Sequence, residues 1–187
     1  MRDGGRPSRC RAVFLDRDGT LTEPRHYPSH PDDLVLQPGI GAPLRALQRR
    51  GYALVVVTNQ SAVARGLFTM DVLNTMHVRL RTLLERHRVS LDGIYACPHH
   101  PAAPVPEYRT RSECRKPAPG MLERAALDLQ IDLTQSWTVG DSHCDAAAGH
   151  AAGTRTAIIG HAPTGNQPPD MRCSTIRAAL YRILLTD

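Results

Sequence analysis

Phe14-Leu15-Asp16-Arg17-Asp18-Gly19-Thr20 is the stretch that decides how this chain is read. Ala12 to Leu15 is a short apolar run that stops at an acidic pair and a glycine, the pattern of a buried strand that delivers polar groups to its own end. Residues two apart at a strand end project to one side, so Asp16 and Asp18 are expected to face one pocket while Arg17 points away. Gly19 lets the chain turn tightly there. Two close carboxylates repel unless a proton or a cation separates them, and either solution serves catalysis. Taken alone, the same residues would also suit an aspartate-rich surface turn.

Outward from this point the chain alternates between two periodicities. From Pro38 the spacing of Ile40, Leu44 and Leu47 predicts a helix ending at Gly51, and a second strand follows over Ala53 to Val57. Thr69 is placed to cap a longer helix whose Leu73, Met76, Leu80 and Leu84 recur at three- and four-residue steps. A third strand is expected over Gly93 to Ala96, then an irregular, proline-rich segment from Cys97 to Pro119 that something other than regular structure must hold. A helix over Gly120 to Leu129, a fourth strand over Trp137 to Val139, an alanine-rich helix ending at Gly153, a fifth strand over Thr156 to Ile159 and a last helix over Ile176 to Leu185 complete the pattern. A Gly/Pro-rich loop, His161 to Pro169, precedes that last helix. Alternating strands and helices imply an α/β, doubly wound parallel sheet, in which ligands bind beyond the carboxyl ends of the strands. The expected strand ends carry Asp16 and Asp18, Thr58-Asn59-Gln60, and Gly140-Asp141.

The 187 residues suffice for one well-filled domain spanning 1–187, with residues 1–11 expected to be flexible. A composition 41% hydrophobic and 22% charged is ordinary for a globular protein, and no apolar run reaches the ~18 residues of a membrane span. The Arg/Gly-rich start does not read as a secretory signal, and five scattered cysteines argue for reduced thiols or metal ligation over a disulfide framework. Both point to the cytoplasm. A net charge of +5 would suit an anionic partner, but aromatics at 4% and dispersed arginines speak against nucleic acid and leave a phosphate-collecting site as the simpler reading.

Asp-x-Asp-Gly-Thr after the first strand, Thr58 after the second, Lys116 before a helix and Gly140-Asp141 after the fourth, in that order, resemble the four motifs of the haloacid dehalogenase superfamily. Within it, Thr58-Asn59-Gln60 and the segment from Cys97-Pro98-His99 to Cys114-Arg115-Lys116-Pro117 resemble the subfamily of histidinol-phosphatases and heptose 1,7-bisphosphate 7-phosphatases. The resemblance runs from about Ala12 to Gly160. It implies that Asp16 attacks phosphorus and forms an aspartyl-phosphate, and that Asp18 protonates the leaving oxygen and then activates water. It implies a Mg2+ held by Asp16, the backbone carbonyl of Asp18 and Asp141, with Thr58 and Lys116 on the phosphate. Lys116 is the only lysine in the chain. Asp145 would orient the metal ligands, or merely favour the start of its helix. Ser142 departs from the pattern, because the heptose family commonly has lysine there.

In the subfamily the irregular loop binds a structural zinc through Cys-x-His and Cys-x-Cys. Here Cys97, His99 and Cys114 match, and Ser112 stands where the fourth ligand is expected. Either zinc is held with help from His100, Glu113 or water, or the loop has lost its metal. Asn59, Gln60, Arg65 and Arg115 resemble substrate-facing residues of the heptose branch, where arginines suit a second phosphate. The expected activity is therefore removal of the 7-phosphate of a heptose 1,7-bisphosphate. Histidinol phosphate, a polynucleotide 3'-phosphate, and a module that binds a sugar phosphate without turnover are the alternatives. No insertion is large enough for a separate cap domain, which leaves substrate choice to the loops Glu23 to Gln37, Ser61 to Phe68 and Cys97 to Pro119, and makes a monomer the expectation.

Overall fold

The computed structural model describes residues 10–161 and 167–186. Six strands, β1 (Arg11–Leu15), β2 (Tyr52–Asn59), β3 (Gly93–Cys97), β4 (Trp137–Gly140), β5 (Arg155–Ile159) and β6 (Met171–Cys173), form one sheet in the order β3-β2-β1-β4-β5-β6. Every pairing is parallel. The helices are α1 (Gly41–Arg49), α2 (Ser61–Ala64), α3 (Met70–Glu85), α4 (Gly120–Leu129), α5 (His143–Ala152) and α6 (Ile176–Leu185). This is the expected doubly wound α/β architecture without a cap.

The continuous apolar strands follow from burial on both sides. Val13 and Leu15 of β1, with Leu54 and Val56 of β2, pack toward Leu44, Leu80 and Ile183. Their neighbours Ala12, Phe14, Val55 and Val57 pack toward Met121, Leu122, Ala125 and Ala148 on the other face. Each fully buried Leu or Phe contributes about 1.5–3 kcal/mol, and this core offsets the cost of the charged groups buried at its upper edge. The strand order reverses between β1 and β4, whose carboxyl ends lie side by side: Leu15 is paired with Val139, and the Asp16 amide donates to the Val139 carbonyl at 3.0 Å. That switch point is where a doubly wound sheet opens a crevice.

The stripe Leu73, Met76, Leu80 and Leu84 is buried and Thr69 caps α3 through the Val72 amide, as the periodicity predicts. Other boundaries shift. α1 begins at Gly41, because Gly39 takes a φ of +73° and turns the chain just before it. β2 runs on to Asn59, so Thr58 and Asn59 end the strand instead of following it. Arg11 opens β1 and Cys10 makes a parallel bridge to Ile131, which corrects the expectation of flexibility for these two residues; residues 1–9 lie outside the described residues. The predicted loop His161 to Pro169 lies partly outside them too, at 162–166.

The segment after β3 contains only the short 3-10 turn Pro106–Tyr108. The structure joins Cys97, at the end of β3, to Cys114, the two Cα atoms being 5.6 Å apart. This corrects the expectation of reduced thiols for that pair. Sulfurs bonded to each other are not thiolates, so in this state Cys97 and Cys114 do not make the expected zinc site, although the Ser112 hydroxyl lies 3.1 Å from the Cys114 sulfur. Cys10, Cys144 and Cys173 are free, as expected. No helix among the described residues is long and apolar enough to cross a membrane.

Candidate active site

At the switch point a cavity of about 180 Å³ is lined by Asp16, Asp18, Thr58, Asn59, Lys116, Ser142 and Asp145. The lysine is its hub. Lys116 is 3% exposed, and its Nζ donates to Asp16 at 2.7 Å, to Asp145 at 2.5 Å and to the Val57 carbonyl at 2.8 Å, so its three protons have three acceptors. Asn59 places it: the Asn59 amide donates to the Lys116 carbonyl and accepts from the Lys116 amide, both at 3.0 Å. The Asn59 side chain, expected on the phosphate, is thus engaged with backbone.

Asp145 is 1% exposed and reconciles both expectations for it. One oxygen takes Lys116; the other takes the Ser142 amide at 3.0 Å and the Ser142 hydroxyl at 2.5 Å, a reciprocal cap on the start of α5. Ser142 therefore has a part to play in this chain: it anchors Asp145 where the heptose family's lysine would carry charge. Two glycines make room. Gly19, with a φ of +81°, passes so close to Asp141 that a Cβ would collide with its carboxylate, and a Cβ on Gly140 would strike Asp145.

Asp16, Asp141 and Asp145 each present an oxygen, all within 4.8 Å of one another. Three such carboxylates face one lysine ammonium, and an all-oxygen set with excess negative charge fits a hard divalent cation such as Mg2+. Burial raises the Asp141 carboxyl, and Asp145 adds to the shift. Burial likewise pushes Asp16 up to about 7, against the pull of Lys116. For Lys116, burial opposes the charge, yet Asp145 and then Asp16 hold the ammonium above its ordinary range. The two shifts conflict if Lys116 and Asp16 are treated as an isolated ion pair. They agree if Lys116 first serves Asp145, its closer partner, and leaves Asp16 short of positive charge.

This has a sign that can be measured. The folded Asp16 carboxyl sits near 7 against 3.8 for the free group, so its contribution to stability is complete below about pH 4 and is lost as the pH rises through about 7. Without divalent metal, the melting temperature is expected to fall by on the order of 5 °C from this source between pH 5 and pH 8. Mg2+ should reverse the fall at pH 8, and Asp16→Asn, which has no proton to lose, should flatten it. Thermal melts in chelator check this, and a wild-type slope that Asp16→Asn leaves unchanged would assign it to other groups.

Asp18 lines the same cavity, its carboxylate held by Arg17 and by Gln60 at 2.8 Å, with the Thr22 hydroxyl 3.4 Å away and nearer to the Arg17 carbonyl, at 3.1 Å. The same Gln60 amide nitrogen donates to the Thr58 hydroxyl at 2.9 Å, so Gln60 spans Asp18 and Thr58 from behind. Arg65 and Arg115 stand outside the cavity. Arg65 lies over the Tyr27 ring, 5.6 Å from its centre, and Arg115 donates to the His99 carbonyl at 3.2 Å. Burial lowers the Arg115 guanidinium and the charge of Arg65 lowers it further, a pair that a bound anion would relieve.

Sequence reasoning missed Arg17 and His77. Arg17 was expected to point away, but it is completely buried beside Asp18. His77 is largely buried close to the same pair, its Nε2 unpartnered within the described residues. For His77 a signal existed, because it falls four residues after Leu73 and three before Leu80, on the buried stripe.

A parallel sheet in this order, with an aspartate pair beyond its first strand and a lysine and further aspartates converging on it, is the arrangement of a haloacid-dehalogenase-like hydrolase. Residues 113–175 match the HAD-hydrolase-like family. The chain is 44% identical over 150 residues to the D-glycero-beta-D-manno-heptose-1,7-bisphosphate 7-phosphatase of Haemophilus ducreyi, a match covering 80% of this chain and 82% of that one. The protein of the same description from Escherichia coli K12 is 44% identical over 148 residues, 79% and 78% of the two chains. A putative HAD-like phosphatase from Mesorhizobium loti superposes with a TM-score of 0.85 at 37% identity, covering 99% and 91%. The D,D-heptose 1,7-bisphosphate phosphatase from B. bronchiseptica, complexed with magnesium and phosphate, superposes with a TM-score of 0.83 at 29% identity, covering 95% and 99%. The chain belongs to this family of haloacid-dehalogenase-like heptose bisphosphate phosphatases.

Proposed function

We propose that the chain, acting as one catalytic domain, is a Mg2+-dependent phosphatase that removes the 7-phosphate of a heptose 1,7-bisphosphate. The observation that carries this reading is one cavity lined by Asp16, Asp18, Lys116 and Asp145, with an Asp141 carboxylate oxygen within 4.8 Å of those of Asp16 and Asp145. Asp16, Asp141 and the backbone carbonyl of Asp18 would hold the cation, with Asp145 fixing its neighbours. Bound there, Mg2+ supplies the positive charge that lets a carboxylate approach an anionic phosphoryl group.

An Asp16 oxygen attacks phosphorus in line, the sugar oxygen leaves with a proton from Asp18, and an aspartyl-phosphate remains. Asp18 then takes a proton from water, whose oxygen attacks the same phosphorus, and Asp16 is released with inorganic phosphate. Lys116 and the Thr58 hydroxyl stabilise the charge on the equatorial phosphoryl oxygens. With no cap to enclose the sugar, Arg65 and Arg115 would meet the second phosphate, a dianion relieving the mutual repulsion that lowers the Arg115 guanidinium. A small phosphorylated sugar as substrate suits the expected cytoplasmic location, and a monomer needs no further residue to complete this cavity.

Phosphate release should be measured across both anomers of the heptose bisphosphate, fructose 1,6-bisphosphate, histidinol phosphate and a 3'-phosphorylated oligonucleotide. One heptose anomer is expected to lead in kcat/KM by about 10- to 100-fold, the loss of one charge-assisted phosphate contact being worth about 1.5–3 kcal/mol. Preference for histidinol phosphate would move the chain to the other branch of the subfamily, and preference for the oligonucleotide would revive nucleic-acid repair.

A further inference from the structure

Arg17 carries a charge into the core for which the fold has no evident need. Its side chain has no exposed surface, and its Nη1 finds no partner within the described residues. Burying a guanidinium costs several kcal/mol, and a well-packed apolar side chain in such a place is commonly as stable or more so. The neighbouring His77 does not compensate: burial and then the charge of Arg17 push it down to about 4, so it stands beside the guanidinium as a neutral ring.

What Arg17 does hold is Asp18. Its Nε donates to Oδ1 at 2.9 Å and its Nη2 to Oδ2 at 2.8 Å, a fork that fixes both rotations of the carboxylate side chain. Gln60 adds a third donor at Oδ2, 2.8 Å away. The Thr22 hydroxyl stands 3.4 Å from Oδ1, but its one proton has a nearer acceptor in the Arg17 carbonyl at 3.1 Å. A carboxylate offers about four acceptor sites, and Oδ1, with Nε of the fork as its one close donor among the described residues, is the oxygen with a lone pair left for the cavity.

We propose that Arg17 is the positioning residue for proton exchange by Asp18, its fork presenting Oδ1 to the leaving-group oxygen. The proposal rests on the acid-base role given to Asp18 above. It concerns leaving groups, and so makes a demand that a merely structural role would not. A sugar alkoxide cannot depart without a proton, whereas 4-nitrophenolate can; positioned proton transfer is worth about 10²–10⁴ in rate where it is needed.

The test compares kcat/KM on a heptose 1,7-bisphosphate and on 4-nitrophenyl phosphate for Arg17→Met, Arg17→Lys and Asp18→Asn. Both substrates are assayed on one preparation, so any loss of folded protein cancels from their ratio. Arg17→Met is expected to lose about 100-fold on the sugar phosphate and less than about 5-fold on the aryl phosphate. Arg17→Lys, which restores charge without the fork, should fall between wild type and Arg17→Met in that ratio. Equal losses on the two substrates for Arg17→Met, with Asp18→Asn still discriminating between them, would overturn the role of Arg17 alone. Equal losses for Asp18→Asn as well would remove the acid-base reading on which it rests.

Discussion

Asp16→Asn is expected to lower phosphate release by at least about 10⁴-fold while leaving the folded protein intact. An amide nitrogen or oxygen is a poor nucleophile toward a phosphoryl group, and removing the nucleophile from a site that acts as a unit typically costs four to six orders of magnitude, roughly as seen when other covalent catalysts lose theirs. The fold should survive because the exchange is isosteric and relieves strain of an electrostatic kind. Asp16 is buried close to Asp145, Asp141 and Asp18, and burial opposes its charge. A neutral side chain there can still accept from Lys116, which lies 2.7 Å away. At pH 8 without metal the variant should melt at or above the wild-type temperature. Residual turnover within about tenfold of wild type, on protein free of revertant, would remove Asp16 as the nucleophile. A drop of melting temperature alongside the lost activity would instead mean that its carboxylate is needed to build the site.

How far these two residues could be read in advance depends on range. Asp16 and Asp18 were legible because a buried strand ending in an acidic pair and a glycine is a local pattern, and β1 is where it was expected. The stripe of α3 was legible for the same reason, its period lying within one helix. β6 was not: Met171–Cys173 is three residues long, follows a Gly/Pro-rich stretch, and is a strand because β5 offers it an edge to pair with. Local propensity cannot report a neighbour. The disulfide failed for a like reason, since Cys97 and Cys114 are 17 positions apart in sequence and only the return of the loop brings them together. Arg17 failed because alternation at a strand end describes where Cβ points, while a long side chain can curl back to its neighbour's carboxylate. Asn59 and Gln60 were placed at the right strand end, but which groups their amides meet is set by Lys116 and Asp18, residues far from them in sequence.

Lys116→Met should be the most damaging single exchange for stability and function together. The ammonium satisfies Asp16, Asp145 and the Val57 carbonyl at once, and it is 3% exposed. Methionine fills a similar volume but donates nothing, so two buried carboxylates and a carbonyl lose their donor. Breaking a buried pair in this way costs about 3–5 kcal/mol, which for a chain of this size is about 10 °C in melting temperature. Turnover should fall by about 10³-fold or more, since the same charge is proposed to steady the phosphoryl oxygens. The two effects can be separated. Adding Asp145→Asn to Lys116→Met removes one of the stranded charges, and should recover part of the lost stability while recovering no activity, a coupling that a double-mutant cycle measures directly. Mg2+ should also stabilise Lys116→Met more than wild type, because it then replaces the cation that Asp16 and Asp145 have lost. A wild-type melting temperature for Lys116→Met would show that the lysine is not the electrostatic hub of the cavity. Recovery of turnover in the double variant would show that it acts only by neutralising Asp145 and has no part in handling the phosphate.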